Sequence, residues 1–499
     1  MQRFSTLAIA AAMMAAPAGA ETVKLTLLGV GDVYNFEEED GRGGFARLNA
    51  VARAERAANP NTLYLFNGDM LSPSLASGFD KGQNTIDFTN LVPFDLAVPG
   101  NHEFDFGPEN FFEKMKASKY PWAAINITNA DGNPIEGLGG VMMKEVAGLK
   151  VALIPVAQDT SPEVSSTGSL KFLPTVDGGI AAAEKAREDG ADLVVGVVQT
   201  NMENDRKLMA SGAFDVILSG DDHSYATAYD GRTAYVETSV DGQFLTPIDL
   251  AVEVKVKDDG KREISWVPNF RFIDTAMVTP DPESVAMADA LRATMDKTLN
   301  VEIGTLEAPL DSRRNVVRAE EATMGNLIAD AMRAATGADI AIMNGGGIRG
   351  DTTYDAGRKL TRRDILTELP FGNTTVVTEL PGSQVLLALE NGVSQAEKGA
   401  GRFPQVSGLS YAFDVTAPAG SRVSEVMVGG APLEADKLYK VAVNDYILGG
   451  GDGYDALGGG RIVTDGPTGQ LVANDVMAYV EKLGTVNVAV EGRIKKLGQ

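Results

Sequence analysis

Short β-rich apolar runs, each breaking off at a polar cluster, set the pattern of the first half of the chain. Residues 22–30 (TVKLTLLGV) end at Gly31-Asp32, residues 63–66 (LYLF) at Asn67-Gly68-Asp69, and residues 94–98 (FDLAV) at Pro99-Gly100-Asn101-His102. Further on, 191–198 (ADLVVGVV) stops at Gln199, and 214–219 (FDVILS) stops at Gly220-Asp221-Asp222-His223. Helical stretches over 44–58 and 179–189 lie between these runs, so the pattern predicts strands alternating with helices. Every polar cluster then sits just beyond the C-terminal end of a strand. In open α/β and layered sheets that edge is where ligands gather.

Pro280-Asp281-Pro282 interrupts the pattern and starts a helix predicted over 283–299. Beyond it the texture changes: glycine clusters at 345–347, 449–451 and 458–460 punctuate mixed helix and strand runs over 322–336, 340–343, 383–393 and 438–443. The expected division is a first α/β domain over 21–279, a linker helix over 280–304 and a second, smaller α/β domain over 305–499. Ahead of them, Arg3, the apolar run 7–16 and the small-residue step Ala18-Gly19-Ala20 read as a secretory signal cleaved after Ala20. That run is too short to remain as a membrane span, and no later one approaches the roughly 20 apolar residues required. The expected location is a bacterial periplasm.

Composition narrows the chemistry. A net charge of −24 over 499 residues repels polyanions, so polymeric nucleic acid is excluded as a partner, while a small anion can still be held where arginines or metal ions reverse the field. With no cysteine there is no disulfide, thiol catalysis or thiolate-held metal. Only two histidines, His102 and His223, are present, which rules out a tris-histidine centre within one chain.

The strand-end residues Asp32, Tyr34, Asp69, Asn101, Gln199, Asp221 and His223 all carry lone pairs that a metal can accept, and His102 can serve as an acid or electrostatic group. Carboxylates gathered from separate strands repel one another unless a cation intervenes. Two ions bridged by one carboxylate can hold a nucleophile and clamp phosphoryl oxygens. The same aspartates could instead cap turns and helices, where Gly-Asp is common.

Taken together, Gly31-Asp32-Val33-Tyr34, Asn67-Gly68-Asp69, Gly100-Asn101-His102-Glu103-Phe104-Asp105 and Gly220-Asp221-Asp222-His223 resemble the calcineurin-like metallophosphoesterase domain of the secreted 5′-nucleotidase family. The resemblance implies a four-layer β-sandwich flanked by helices. It makes Asp69 the bridging carboxylate, with Asp32 and His223 on one metal and Asn101 and Asp221 on the other. His102 becomes the catalytic histidine, oriented by Asp105, where a cationic or proton-donating imidazole stabilises charge developing on phosphorus. Three positions depart from the family pattern: Asp32-Val33-Tyr34 replaces Asp-x-His, Gln199 replaces a histidine, and Asp221 replaces the first histidine of Gly-His-x-His. The two divalent or mixed-valence ions are therefore expected to be oxygen-preferring, Mn, Mg, Ca or Fe rather than Zn.

In the second domain the runs Asn344-Gly345-Gly346-Gly347-Ile348-Arg349, Pro370-Phe371-Gly372-Asn373, Gly401-Arg402-Phe403-Pro404 and Gly451-Asp452-Gly453-Tyr454 stand out. Arg349 can pair bidentately with phosphate, and Phe403 and Tyr454 either stack on a planar ring or fill the core around tight turns. These runs resemble the family's C-terminal substrate-binding domain. The resemblance places a base between Phe403 and Tyr454, Arg349 near the phosphate, and Asn344, Gly346, Asn373 and Asp452 around the same cleft. The family's additional phosphate arginines have no evident counterpart after Arg349, so phosphate recognition is expected to be weaker or altered. Closure about the 280–299 segment would bring chemistry and recognition together.

The implied activity is metal-dependent hydrolysis of phosphate monoesters, nucleoside 5′-monophosphates first. The alternatives are another small phospho- or sulfur ester, or a non-catalytic nucleoside- or nucleotide-binding protein of the periplasm. A monomer acting on a small molecule is expected. Sequencing the exported form should find Glu21 at its N-terminus, and retention of Met1 would remove the signal reading.

Overall fold

The computed structural model describes residues 21–257, 261–464 and 470–498. Residues 1–20, expected to form a secretory signal, lie outside them.

Two sheets face each other in the first domain. One has five strands in the order Arg262–Phe270, Ile248–Val256, Glu21–Val30, Thr62–Phe66, Leu96–Ala97. The other has six, in the order Ala226–Tyr229, Ala234–Glu237, Val216–Gly220, Leu193–Gln199, Leu149–Val156, Met142–Val146. Leu25, Leu27 and Leu65 of the first sheet share one core with Leu153, Val195 and Leu218 of the second. Alternate residues on the other face of the six-stranded sheet, Ile154, Val194, Val198 and Ile217, pack with Ala183 and Leu208 of the helices Thr175–Glu188 and Met202–Ser211. The helices Gly44–Ala58 and Pro282–Leu299 pack on each other over the five-stranded sheet, which completes the layers helix, sheet, sheet, helix. Glu21–Val30, Thr62–Phe66 and Leu96–Ala97 run parallel, as do Leu149–Val156, Leu193–Gln199 and Val216–Gly220. Their C-terminal ends therefore collect along one edge.

Pro282–Leu299 is the connecting helix. Asp281 caps it by accepting from Ser284 N, and the proline at its first turn needs no partner for the missing N–H. No helix among the described residues is long and apolar enough to cross a membrane.

A five-stranded mixed sheet organises the second domain, in the order Pro404–Ser407, Ile340–Asn344, Leu438–Asn444, Thr375–Pro381, Arg461–Thr464. Period-2 alternation gives it two cores. Ala341, Met343 and Ala442 face the helices Thr323–Thr336 and Val472–Leu483, while Ile340, Ile342 and Val443 face Gly382–Val393. Phe403 and Tyr454 belong to that second core and have essentially no exposed surface. Truncating a fully buried aromatic ring leaves a cavity, so Phe403→Ala should cost about 3–5 kcal/mol in a denaturant titration. A loss under about 1 kcal/mol would show that the ring is not a core element.

Candidate active site

Four of the strand-end residues, Asp32, Asp69, Asp221 and His223, adopt positive φ, between 55° and 103°. Such backbone is uncommon for residues with a Cβ and is tolerated best by Asp and Asn. Here it turns each chain sharply at the sheet edge. The turns are tied together by main-chain bonds: Asp32 N donates to Gly68 O at 2.9 Å and Val33 N to Asp69 O at 2.8 Å.

At their centre, Gln199 Nε2 donates to Asp69 Oδ2 at 2.8 Å and lies 3.3 Å from Asp32 Oδ1. Asp221 N donates to both oxygens of Asp32, at 3.2 and 3.1 Å. Tyr34 places its hydroxyl 2.9 Å from His223 Nε2 and 3.5 Å from Asp32 Oδ1. Burial holds the carboxyls of Asp32 and Asp69 well above the usual range, and burial with Asp222 nearby lifts Asp221 to about 6. The Tyr34 phenol is likewise pushed up, by burial and then by Asp69 and Asp32, so it stands as a neutral hydrogen-bonding group.

Beside this cluster, His102 N donates to Asp69 Oδ1 at 2.8 Å, and His102 Nδ1 lies 2.6 Å from Asp105 Oδ2. Ser165 Oγ donates to the other oxygen of Asp105 at 2.7 Å, fixing the carboxylate that fixes the imidazole. Burial works against charge on His102, but Asp105 and Asp69 outweigh it and raise its pKa to about 9. His223 moves the other way, to about 4, through burial and the nearby His102, Arg349 and Arg314. The two imidazoles are thus set up for opposite tasks, one carrying a proton and the other offering a lone pair.

A cavity of about 230 Å³ opens over His102 between the two domains. Asn101, His102 and Asp105 line it from the first domain, and Asn344, Gly346, Arg349, Asn373 and Asp452 from the second. Asn344 Nδ2 donates to Asp452 Oδ2 at 2.8 Å, and Gly346 packs so tightly on Gly401 that a Cβ would stand 3.0 Å from its Cα. The aromatic clamp is corrected. Neither Phe403 nor Tyr454 reaches the cavity: both pack in the core, and Tyr454 donates its hydroxyl to Arg402 O at 2.6 Å. The alternative open in the sequence, aromatics filling the core around glycine turns, is what the fold uses.

Several wall residues escaped the sequence reading. Phe371 stacks on His102, with centroids 6.4 Å apart and planes 12° from parallel, while the Arg349 guanidinium lies 5.3 Å from the same ring. Tyr446 lines the cavity and donates to Glu163 O across the domain boundary at 3.2 Å. Arg318 also lines it, and its buried Nε has no partner. Burial, Arg314 and Arg349 pull the Arg318 pKa down to about 10, the signature of cations assembled for an anion. A further arginine of the cavity wall therefore exists, but it precedes Arg349. The spacing Arg314-x-x-x-Arg318 was the available signal.

The chain matches the model for calcineurin-like phosphoesterase over residues 25–225 and that for the 5′-nucleotidase C-terminal domain over residues 302–459. It is 29% identical to the trifunctional nucleotide phosphoesterase protein YfkN of Bacillus subtilis (strain 168), covering 95% of this chain but only 35% of that protein. It is 26% identical to the 5′-nucleotidase of Homo sapiens, covering 95% of this chain and 91% of that one. The crystal structure of a 5′-nucleotidase precursor from Thermus thermophilus superposes with a TM-score of 0.75 at 28% identity, covering 96% of this chain and all of that one.

The chain belongs to the 5′-nucleotidase and calcineurin-like phosphoesterase family. Phosphoester hydrolysis on small substrates, metal-dependent in general, is this family's chemistry. Against that background the donor set is unusual. Among the described residues, no three His, Asp or Glu side chains stand close enough to hold an ion by themselves. The convergence is completed by the Gln199 amide, whose Oε1 is buried without a partner, a loss worth about 1–3 kcal/mol for a carbonyl removed from water. Turned toward Asp32 and Asp69, that oxygen would complete a donor set that fits a hard cation.

Two histidines make titration easy to read. In metal-free protein, proton NMR should show one imidazole titrating near 9 and the other near 4, with Asp105→Asn lowering only the first. Because folding raises the His102 pKa, its contribution to stability is full below about pH 6.5 and is lost as pH climbs through about 9. Two ordinary titrations near about 6.5 would contradict the arrangement.

Proposed function

We propose that this protein is an exported, metal-dependent hydrolase of small phosphate monoesters, with nucleoside 5′-monophosphates the first substrates to test. One observation carries the reading. A single cavity joins the His102–Asp105 pair, above a cluster of buried carboxylates, to the buried guanidinium of Arg318 and to Arg349. Family membership and the names of the relatives support the same chemistry.

In this reading Asp32, Asp69, Asn101, Gln199, Asp221 and His223 would hold the metal ions. Tyr34 serves as a hydrogen-bond partner of His223. Bound there, the metal pair would supply Lewis acidity toward phosphoryl oxygen and lower the pKa of water. The protein's own groups do the rest. Arg349 and Arg318 bind and orient the phosphoryl oxygens, and Asn344, Asn373 and Asp452 contact the remainder of the ester. His102, charged at neutral pH, stabilises negative charge on the phosphoryl group and can hand its proton to the departing alkoxide. Asp105, steadied by Ser165, keeps the imidazole oriented and raises its pKa, so that it takes a proton back from water after each turnover.

Recognition of the base separates the possible esters. The two rings expected to sandwich a base are buried and absent from the cavity wall. Recognition therefore falls mainly on the phosphate and its immediate neighbour. We expect phosphate release from adenosine 5′-monophosphate and from ribose 5-phosphate to differ by less than about tenfold in kcat/KM, since an aromatic stack would add about 1–3 kcal/mol for the base. A preference above a hundredfold for the nucleotide, abolished in Tyr454→Ala, would restore the clamp. No phosphate release from any monoester with Mn²⁺ or Mg²⁺ supplied would leave the binding-protein alternative.

A further inference from the structure

Gln199 ends the strand Leu193–Gln199 in full burial, at the point where two carboxylates from other strands converge. Its Nε2 donates to Asp69 Oδ2 at 2.8 Å and stands 3.3 Å from Asp32 Oδ1. Both acceptors are buried, and the amide presents its hydrogens rather than its oxygen to them. Its Oε1 is left on the other side with no partner. That side is made of glycine: a Cβ on Gly220 would stand 2.6 Å from Oε1, and one on Gly68 would stand 2.8 Å from it. The amide thus has room that a side chain at either position would remove.

The amide torsion carries a second message. A half-turn about the last torsion of the side chain exchanges nitrogen for oxygen at the same position and requires no movement of the strand. Terminal amide torsions are broad and roughly two-fold.

We infer that Gln199 is a two-state amide: without metal its NH₂ group takes the place of a cation between Asp32 and Asp69, and with metal its Oε1 turns inward as a ligand. One residue then both stabilises the empty site and helps to fill it, so that the metal-free protein folds without the bare carboxylate cluster that loss of the ion would otherwise leave. The ligand state rests on the metal-dependent reading above. The donor state concerns the protein alone.

The test compares wild type, Gln199→Met and Gln199→Glu, stripped by chelation, in two measurements: thermal melting without metal, and Mn²⁺ binding by calorimetry. Methionine fills similar space but neither donates nor offers an amide oxygen. Gln199→Met is expected to melt lower than wild type when metal-free and to bind Mn²⁺ at least tenfold more weakly. Gln199→Glu adds a third carboxylate, so it should also melt lower when metal-free, yet bind Mn²⁺ at least tenfold more tightly and regain its melting temperature as the ion is added. Metal-free melting unchanged in both variants would overturn the donor state, and wild-type Mn²⁺ affinity in Gln199→Met would overturn the ligand state. Failure of the hydrolase reading is seen separately, as absence of phosphate release from wild type loaded with Mn²⁺, and the two measurements stand whatever that assay shows.

Discussion

Everything at the sheet edge depends on one buried carboxylate that takes no part in the chemistry. Glu103, with no exposed surface, accepts from Asp69 N at 2.8 Å, Met70 N at 2.7 Å, Leu71 N at 3.3 Å and Gly100 N at 2.6 Å. Burial alone would push its pKa up further, and these four main-chain donors pull it back. The loop after Thr62–Phe66 and the loop after Leu96–Ala97 are thereby fastened to a single side chain. Asp69 can hold its left-handed turn and reach Gln199 and His102 only because that fastening leaves its own N–H satisfied. A hydrogen bond to a charged acceptor contributes about 1.5–3 kcal/mol, enough to offset the strain of such a turn.

The cluster above Glu103 shows how a protein manages acids that have been brought together. Three means operate at once. Desolvation moves Asp32 and Asp69 toward their neutral forms, Gln199 supplies amide hydrogens between them, and the charged His102 leans on Asp69 through its main chain and its field. Across the cleft the field reverses, with Arg349 and Arg318 both held below their ordinary pKa values by burial. In the proposed reading a phosphate ester would span the two regions, its anionic end toward the guanidinium groups and its reacting bond toward the imidazole. A chain of net charge −24 can recruit a small anion because the sign change is local.

Much of this was legible in the sequence because strand ends and ligand edges coincide in layered α/β folds. The helix expected over 44–58 is Gly44–Ala58, and the strand run 22–30 is Glu21–Val30. The expected 179–189 helix starts earlier, at Thr175, because Thr175 also bridges to Asp159 through its hydroxyl and main chain. What sequence could not reveal was the facing of rings. Phe403 and Tyr454 flank glycine turns as a clamp would, but only the three-dimensional alternation of the Ile340–Asn344 sheet decides that they point into a core. Phe371 carries the same local signals and points the other way, onto His102. Arg318 was overlooked for a different reason: it reaches the cleft from the end of a four-residue helix, Arg314–Val317, far from the glycine-rich motifs that marked the site.

The cavity has walls on bodies that keep separate hydrophobic cores, one beneath His102 and two on either side of the second domain's central sheet. Between them run the helix Pro282–Leu299, the side chain of Leu366, which packs against both bodies, and polar ties such as Tyr446 to Glu163 and Arg363 to Asp296. The room available to a substrate is therefore set by how the two bodies meet as much as by side chains. Changes along that helix, far from any reacting atom, can resize the binding space while leaving every catalytic contact within the first domain untouched. Selection for a larger or smaller ester thus has a mechanical route open to it that bypasses the chemistry altogether.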